Sequence, residues 1–130
     1  MIGLDSNILL RHLAQDDPVQ SQRATAVLER LSVTEPGYAS HVVLVETAWV
    51  LERTYKVSGA AIAAAITGLL QATSLVVQDE DAVVLALRAA SEGDATFADA
   101  LIGILATRAG CARTLTFDER ALRLPGFERA

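Results

Sequence analysis

The chain has 130 residues, with 16 Asp and Glu against 11 Lys and Arg, so its formal net charge is −5. The length favours a single domain spanning residues 1–130, and a hydrophobic content of 52% excludes an intrinsically disordered chain. The acidic balance excludes the broad basic face that wraps duplex DNA. It leaves room for nucleic acid contacted through a metal ion or a local arginine cluster.

The single cysteine, Cys111, excludes an internal disulfide and a cysteine-based zinc cluster. We expect Cys111 to be a small buried residue. The residues after Met1 lack a basic segment and a long apolar segment, which predicts a cytoplasmic protein without a secretory signal. The longest uncharged run, 57–78, is interrupted by polar residues. It is predicted to be a helix and a strand rather than a membrane span.

Hydrophobic periodicity predicts short strands that alternate with helices. Strands are predicted at 1–4, 38–40, 74–77 and 113–117, the first of them buried. Helices are predicted at 7–13, 18–32, 41–55, 58–73, 81–90 and 96–109, followed after the last strand by a short helix and a turn at 125–126. Helix boundaries are marked by Asp17, Pro18, Ser58, Gly93 and Gly110. The alternation predicts an α/β fold, a three-layer α/β/α sandwich with a short parallel sheet.

Four carboxylates lie at the ends of predicted strands or early in the helices that follow them. They are Asp5, Glu46, Asp99 and Asp118. In open parallel sheets, ligands bind beyond the carboxyl ends of the strands. The acids also have apolar neighbours, which is more typical of a shared cleft than of a solvated charge run. Their joint position therefore predicts a common functional site.

Each acid also has a purely structural interpretation. Asp5 and Asp118 would serve as helix N-caps. Thr96 and Asp99 have the spacing of a capping box, in which the Asp99 carboxylate accepts from the Thr96 amide. Glu46 would pair with an arginine. For any single acid these alternatives are as strong as the functional one.

The segments around the four acids resemble the motifs of PIN domains. They are Asp5-Ser6-Asn7-Ile8-Leu9-Leu10-Arg11, Val45-Glu46-Thr47-Ala48-Trp49-Val50-Leu51, Thr96-Phe97-Ala98-Asp99-Ala100-Leu101-Ile102 and Leu115-Thr116-Phe117-Asp118. The resemblance spans nearly the whole chain, and the single-domain size resembles that of the VapC toxins of type II toxin–antitoxin systems. Ser6 stands where the family more often has threonine, and serine keeps the hydroxyl group.

The resemblance implies a ribonuclease that depends on Mg²⁺, or alternatively Mn²⁺. It assigns Asp5 and Asp99 as primary metal ligands, and Glu46 and Asp118 to a second ion or to contacts through water. It assigns Asn7 and Thr116 to orienting the carboxylates. Elementary electrostatics agrees, because carboxylates that share a cleft repel each other and a hard divalent cation prefers oxygen ligands. Such a cation activates water and neutralises the scissile phosphate.

Several other residues are candidates for contact with RNA. Guanidinium groups bind phosphate through paired donors, and the candidates are Arg11, Arg53 and Arg120, with surface solubility as an equally strong alternative. Trp49, three residues after Glu46, is either a core residue, which is the favoured interpretation, or a stacking platform for a base. Asp94 is interpreted as a loop residue, with an auxiliary metal role as the alternative.

Other folds that carry acids at strand ends fit the sequence poorly. A receiver module needs an aspartate directly after its third strand and a lysine after its last, and neither is present. An Asp-x-Asp phosphatase needs aspartate where this chain has Asn7, and no P-loop motif occurs. The remaining alternative is a catalytically silent PIN-like binding module that acts through protein partners.

The resemblance also implies partners. The substrate would be tRNA or ribosomal RNA, and a VapB-type antitoxin would wrap the chain with a C-terminal segment that folds on binding. A mean hydropathy of +0.34 indicates more apolar surface than one core needs. We therefore expect a symmetric homodimer through faces of the helices predicted at 41–55 and 58–73. No membrane association is expected.

Overall fold

Six helices and five short strands make up the fold, and the computed structural model describes every residue from Met1 to Ala130. The helices are α1 (Ser6–Ala14), α2 (Pro18–Arg30), α3 (His41–Arg53), α4 (Gly59–Gln71), α5 (Glu80–Gly93) and α6 (Phe97–Arg108). The strands are β1 (Ile2–Gly3), β2 (Gly37–Ala39), β3 (Leu75–Val77), β4 (Thr114–Thr116) and β5 (Phe127–Arg129), and a 3₁₀ turn covers Ala121–Arg123. All strand pairs are parallel, which confirms the predicted α/β class.

Side-chain caps set the starts of several helices. The Asp17 carboxylate accepts hydrogen bonds from the amides of Val19 and Gln20 and so begins α2, with proline at the first helical position. Hydroxyl oxygens cap α3, α4 and α6, each accepting from the amide three residues later; they belong to Ser40, Ser58 and Thr96. Each cap satisfies an amide that has no partner inside the helix.

The chain divides into two compact units, Met1–Gln78 and Asp79–Ala130. In the first unit, β2 lies between β1 and β3, so that Gly37 is level with Ile2 and with Leu75. The core of this unit contains three buried leucines with partly buried neighbours: Leu4, Leu9, Leu31, Ile8, Val27, Leu28, Val43, Leu69 and Leu75. A Cβ at Gly37 would lie 2.7 Å from Leu31 Cδ1, so a larger residue here would require the packed leucine side chains to move.

In the second unit, α5 and α6 bury Val83, Ala86 and Leu101. Strands β4 and β5 form a separate parallel pair, with Leu115 level with Glu128. A Cβ at Gly103 in α6 would lie 2.5 Å from the Phe127 ring, so glycine permits this close contact between α6 and β5.

Some local predictions were wrong. Strand β5 was not predicted, and the residues of β1 are exposed because β1 is an edge strand, although Leu4 after it is buried. Cys111 is exposed rather than buried. Helix α5 extends beyond the predicted residue 90 to Gly93, the residue predicted to end it, and Asp94, with φ of 50°, takes the left-handed position that follows. No helix in the chain combines the length and hydropathy needed to cross a membrane.

Candidate functional site

Two of the four predicted site acids contact the same hydroxyl group in the first unit. Asp5 follows β1 and caps α1, and its Oδ1 accepts from the Ser6 amide at 2.6 Å. Glu46 lies in α3, and its Oε1 accepts from Ser6 Oγ at 2.7 Å. Ser6 Oγ is also 3.3 Å from Asp5 Oδ1. Because Ser6 is only 2% exposed and both acids are exposed, a buried hydroxyl connects two surface carboxylates.

No basic side chain neutralises this pair of acids. The predicted cap role of Asp5 is confirmed, since Asp5 begins α1. The arginine partner that the structural interpretation gave to Glu46 is absent, because Glu46 accepts only the Ser6 hydroxyl. Neither carboxylate therefore has a compensating positive charge in an ion pair. Asn7, predicted to orient these acids, is exposed in the first turn of α1.

In the second unit, Asp99 lies in the first turn of α6 and is partly exposed. Its amide donates to Thr96 Oγ1 at 3.1 Å. The reciprocal bond, from the Thr96 amide to the Asp99 carboxylate, is not formed, so only half of the predicted capping box exists. The backbone of Asp99 is thus used by the cap, while its carboxylate is not.

Asp118 is the exposed acid after β4. Its Oδ1 accepts from the amides of Arg120 at 2.8 Å and Ala121 at 3.2 Å, so it satisfies amides at the start of the 3₁₀ turn, although the N-cap position itself is Arg120. Thr116, predicted to orient a carboxylate, accepts from the Asp118 amide at 3.0 Å. Thr116 thus helps to fix the loop that carries Asp118.

The donor chemistry of these residues fits a hard divalent cation. The four acids offer only carboxylate oxygens, which Mg²⁺ and Mn²⁺ prefer, and none of them is used in an ion pair. Within neither unit do three or more His, Cys, Asp or Glu side chains form a group that could hold a metal ion. Asp5 and Glu46 are therefore two carboxylates that share one hydroxyl contact, and by themselves they do not form such a group.

Arg11 and Tyr55 hold Asp16 in a surface cluster. Arg11 Nη1 lies 3.1 Å from Asp16 Oδ1, and Arg11 Nε donates to Gln20. The Tyr55 hydroxyl donates to Asp16 Oδ2 at 2.6 Å. This hydrogen bond, with a smaller contribution from Arg11, holds the pKa of Asp16 below its usual value, and Asp16 raises the pKa of Tyr55. The guanidinium of Arg11, a predicted RNA contact, is thus engaged within the protein.

Asp94 also has a partner within its own unit. Arg123 donates to both the carboxylate, at 3.0 Å, and the carbonyl oxygen of Asp94, at 2.9 Å. Together with the left-handed backbone of Asp94, this contact is typical of a loop residue that ends a helix.

Trp49 does not pack in the core. Its side chain is 54% exposed, so the favoured interpretation was wrong. The reason is helical phase: Thr47, Ala48 and Leu51 face the interior, whereas Trp49 and Glu46 are both on the exposed side of α3. The Arg53 guanidinium carbon lies 5.2 Å from the centroid of the Trp49 ring, a cation–π contact.

A comparison with family models matches residues 2–126 to the PIN domain. The matched range includes all four acids and the residues around them. No match is found among curated proteins.

Proposed function

The chain belongs to the PIN domain family, and on this premise we propose that it is a Mg²⁺-dependent ribonuclease that acts as the toxin of a type II toxin–antitoxin pair. PIN domains are generally metal-dependent nucleases and typically bind divalent metal ions. The proposed domain is single and spans residues 1–130. The observation that carries the proposal is the contact of Asp5 and Glu46 with the Ser6 hydroxyl, because it keeps two unneutralised carboxylates close together.

The proposed site contains the four acids that the sequence predicted. Asp5 and Asp99 are the primary ligands of Mg²⁺ or Mn²⁺, and Glu46 and Asp118 act on a second ion or through water. When bound, the cation supplies Lewis-acid chemistry that activates water and neutralises the phosphate. Ser6 fixes the position of Glu46 relative to Asp5, and Thr116 supports the loop of Asp118. Asn7, two residues after Asp5, helps to orient the carboxylates, and Arg53 and Arg120 are candidates for holding the RNA backbone.

Cleavage of cellular RNA in vitro tests the enzymatic part of this proposal. We expect cleavage with Mg²⁺, none in EDTA, and a loss of roughly 100-fold or more in Asp5→Asn and Glu46→Gln. These variants are well matched to the structure, because asparagine still caps a helix and glutamine keeps an acceptor for Ser6. Glu29→Gln, an exposed acid of α2, is the control that should cleave normally. Cleavage that persists in EDTA, or in both variants, contradicts the proposal.

A groove in the first unit supports the proposed VapB-type partner. Its volume is about 380 Å³, and it is lined mostly by apolar residues of α1, α2 and α4 and the start of β3: His12, Leu13, Leu28, Leu31, Ala64, Ala65, Gly68, Leu69, Ala72, Ser74 and Leu75. A groove of this kind suits the apolar face of a segment that folds on binding. We propose that the C-terminal segment of the antitoxin lies here and places a basic side chain against the acids of the proposed site.

Growth measurements test the toxin–antitoxin role. Expression of the chain alone should slow growth, and co-expression with a neighbouring antitoxin gene should restore it. Gly68→Phe should keep the toxicity but lose the rescue, since nothing lies within 4 Å of a Cβ at Gly68 and the added ring would occupy the groove. Gly59→Phe, equally open but outside the groove, is the control that should still be rescued. Harmless expression without RNA cleavage favours the alternative of a catalytically silent binding module.

A further inference from the structure

We propose that Trp49 and Arg53 form a stacking subsite for an unpaired base of the RNA substrate, an inference that rests on the proposed ribonuclease function. Val42, Glu46, Trp49 and Arg53 follow one another at helical spacing along the exposed side of α3. Residues three or four apart on a helix are neighbours, about 5–6 Å apart at Cβ. Trp49 is therefore next to Glu46, the acid held by Ser6.

The exposure of Trp49 requires an explanation. The chain has one tryptophan, and its side chain is 54% exposed on a well-formed helix. A large aromatic side chain contributes most when it is buried, and exposed tryptophans are enriched at binding surfaces. The residues on either side of Trp49 along the exposed side of α3 are charged, since Glu46 precedes it by one turn and Arg53 follows it by one turn. A purely apolar partner would leave both charges buried without an opposite charge.

A single-stranded nucleotide satisfies each of these groups. Bases stack on aromatic rings and on guanidinium planes, and the Trp49–Arg53 pair presents both. The Arg53 charge attracts the phosphate of the same nucleotide. Without a bound cation, Glu46 repels that phosphate. This repulsion orients the nucleotide with its phosphate towards Arg53. The subsite would thus hold a base within one helical turn of an acid of the proposed metal site.

Fluorescence gives a direct test, because all tryptophan emission comes from Trp49. The probe is a twelve-residue single-stranded oligoadenylate, titrated in EDTA and again with Ca²⁺ in place of Mg²⁺ to limit cleavage. We expect saturable quenching that a duplex RNA of the same length does not reproduce. Absence of quenching in both buffers overturns the inference.

Substitutions separate stacking from simple apolar bulk. With binding followed by the anisotropy of a labelled oligoadenylate, Trp49→Phe should bind within a few-fold of the wild type. Trp49→Leu should bind roughly 5- to 150-fold more weakly, since leucine keeps the bulk but not the flat ring. Val42→Ala is the control and should bind normally, because Val42 lies on the same exposed side of α3 and is itself 72% exposed. Equal affinity of Trp49→Leu and the wild type contradicts the inference.

Two further outcomes are distinguishable. If Trp49→Leu lowers the molar mass measured by light scattering and leaves RNA affinity unchanged, the surface is a contact between copies of the chain and the inference is wrong. If quenching and the Phe–Leu difference are present but RNA is never cut, the ribonuclease proposal fails while the base-binding surface stands. If RNA is cut but tryptophan fluorescence is not quenched, the stacking inference is wrong and the ribonuclease proposal stands.

Discussion

At the scale of single residues, Asp99 has its amide in a helix cap and its carboxylate outside it. Asp99→Ala keeps the hydrogen bond from the backbone amide of residue 99 to Thr96 Oγ1. The substitution therefore removes only the favourable interaction of the carboxylate with the helix dipole, which contributes about 0.3–1 kcal/mol to stability. On the proposed metal site, removal of the charge also relieves repulsion. We therefore expect little or no loss of stability in EDTA. With Mg²⁺, only the wild type should gain stability, because only it binds the ion well.

Thermal melts with EDTA and with Mg²⁺ check this prediction. Thr96→Ala is the matched control, since it removes the cap itself and should lose about 0.5–2 kcal/mol in both buffers. If Asp99→Ala behaves like Thr96→Ala, with equal losses in both buffers and RNA cleavage retained, Asp99 has only a structural role.

The contact between Tyr55 and Asp16 predicts a pH dependence at both extremes. Asp16 has a lowered pKa, so its stabilising contribution is present above its unfolded value of about 3.9 and is lost as the pH falls through the folded value. Tyr55 has a raised pKa, so its contribution is present below about 10 and is lost as the pH rises through the folded value. Tyr55→Phe should therefore be less stable than the wild type near neutral pH, and the difference should shrink at both extremes.

Chemical denaturation across pH, together with an NMR titration of the Asp16 carboxyl, measures this effect. The pKa of Asp16 should rise in Tyr55→Phe, because its largest cause of lowering is removed. A stability difference that is constant from acid to alkaline pH would be inconsistent with a hydrogen bond between these groups.

At the scale of elements, Gly103 shows how one missing side chain permits a contact. Alanine normally stabilises a helix by about 0.5–1 kcal/mol relative to glycine. In α6, however, the added Cβ would lie 2.5 Å from the Phe127 ring, so Gly103→Ala should destabilise the protein by about 1–3 kcal/mol. Gly68→Ala in α4 is the control, with nothing within 4 Å of the added carbon, and should be stabilising. Urea denaturation of both variants gives the comparison, and a stabilising Gly103→Ala would show that β5 does not pack closely on α6.

The helices and strands also show which parts of the fold can be predicted from the sequence. Helix starts at Asp17 and Ser58 were predicted because a cap acts on the next few residues, so its signal is local. Strand β5 was missed because three residues after a proline–glycine turn carry no periodicity, and they become a strand only through pairing with β4. The exposure of Trp49 was missed because α3 is apolar around much of its circumference, which obscures the face that points inward.

In the candidate site, too, some features could be predicted from the sequence and others could not. The four acids were recognisable from strand ends and motif resemblance. The role of Ser6 was not, because its contact with Glu46 joins residues 40 positions apart, and no local pattern predicts such a bond. The only signal in the sequence was a hydroxyl-bearing residue directly after Asp5.

At the scale of the whole molecule, exposed apolar side chains predict self-association. Val42 is exposed in α3, and the second unit exposes Val84, Leu85, Ile102, Leu115 and Phe117. The exposed residues of α4 are mostly alanine, glycine and other small residues, so this helix offers less apolar surface than the sequence suggested. We expect a homodimer, with twice the 13.8 kDa of one chain in light scattering at micromolar concentration. A molar mass of one chain under these conditions would contradict the prediction of a homodimer.

The central proposal is that Asp5 and Asp99 bind the same metal ions, and a titration with Mn²⁺ tests it most directly. Calorimetry should show saturable binding to the wild type and at least about tenfold weaker binding to Asp5→Asn and to Asp99→Asn. The double variant should bind no more weakly than the weaker single one, because residues that act as one unit are not additive. Wild-type affinity in either single variant, or two losses that simply add in the double variant, would contradict a shared site.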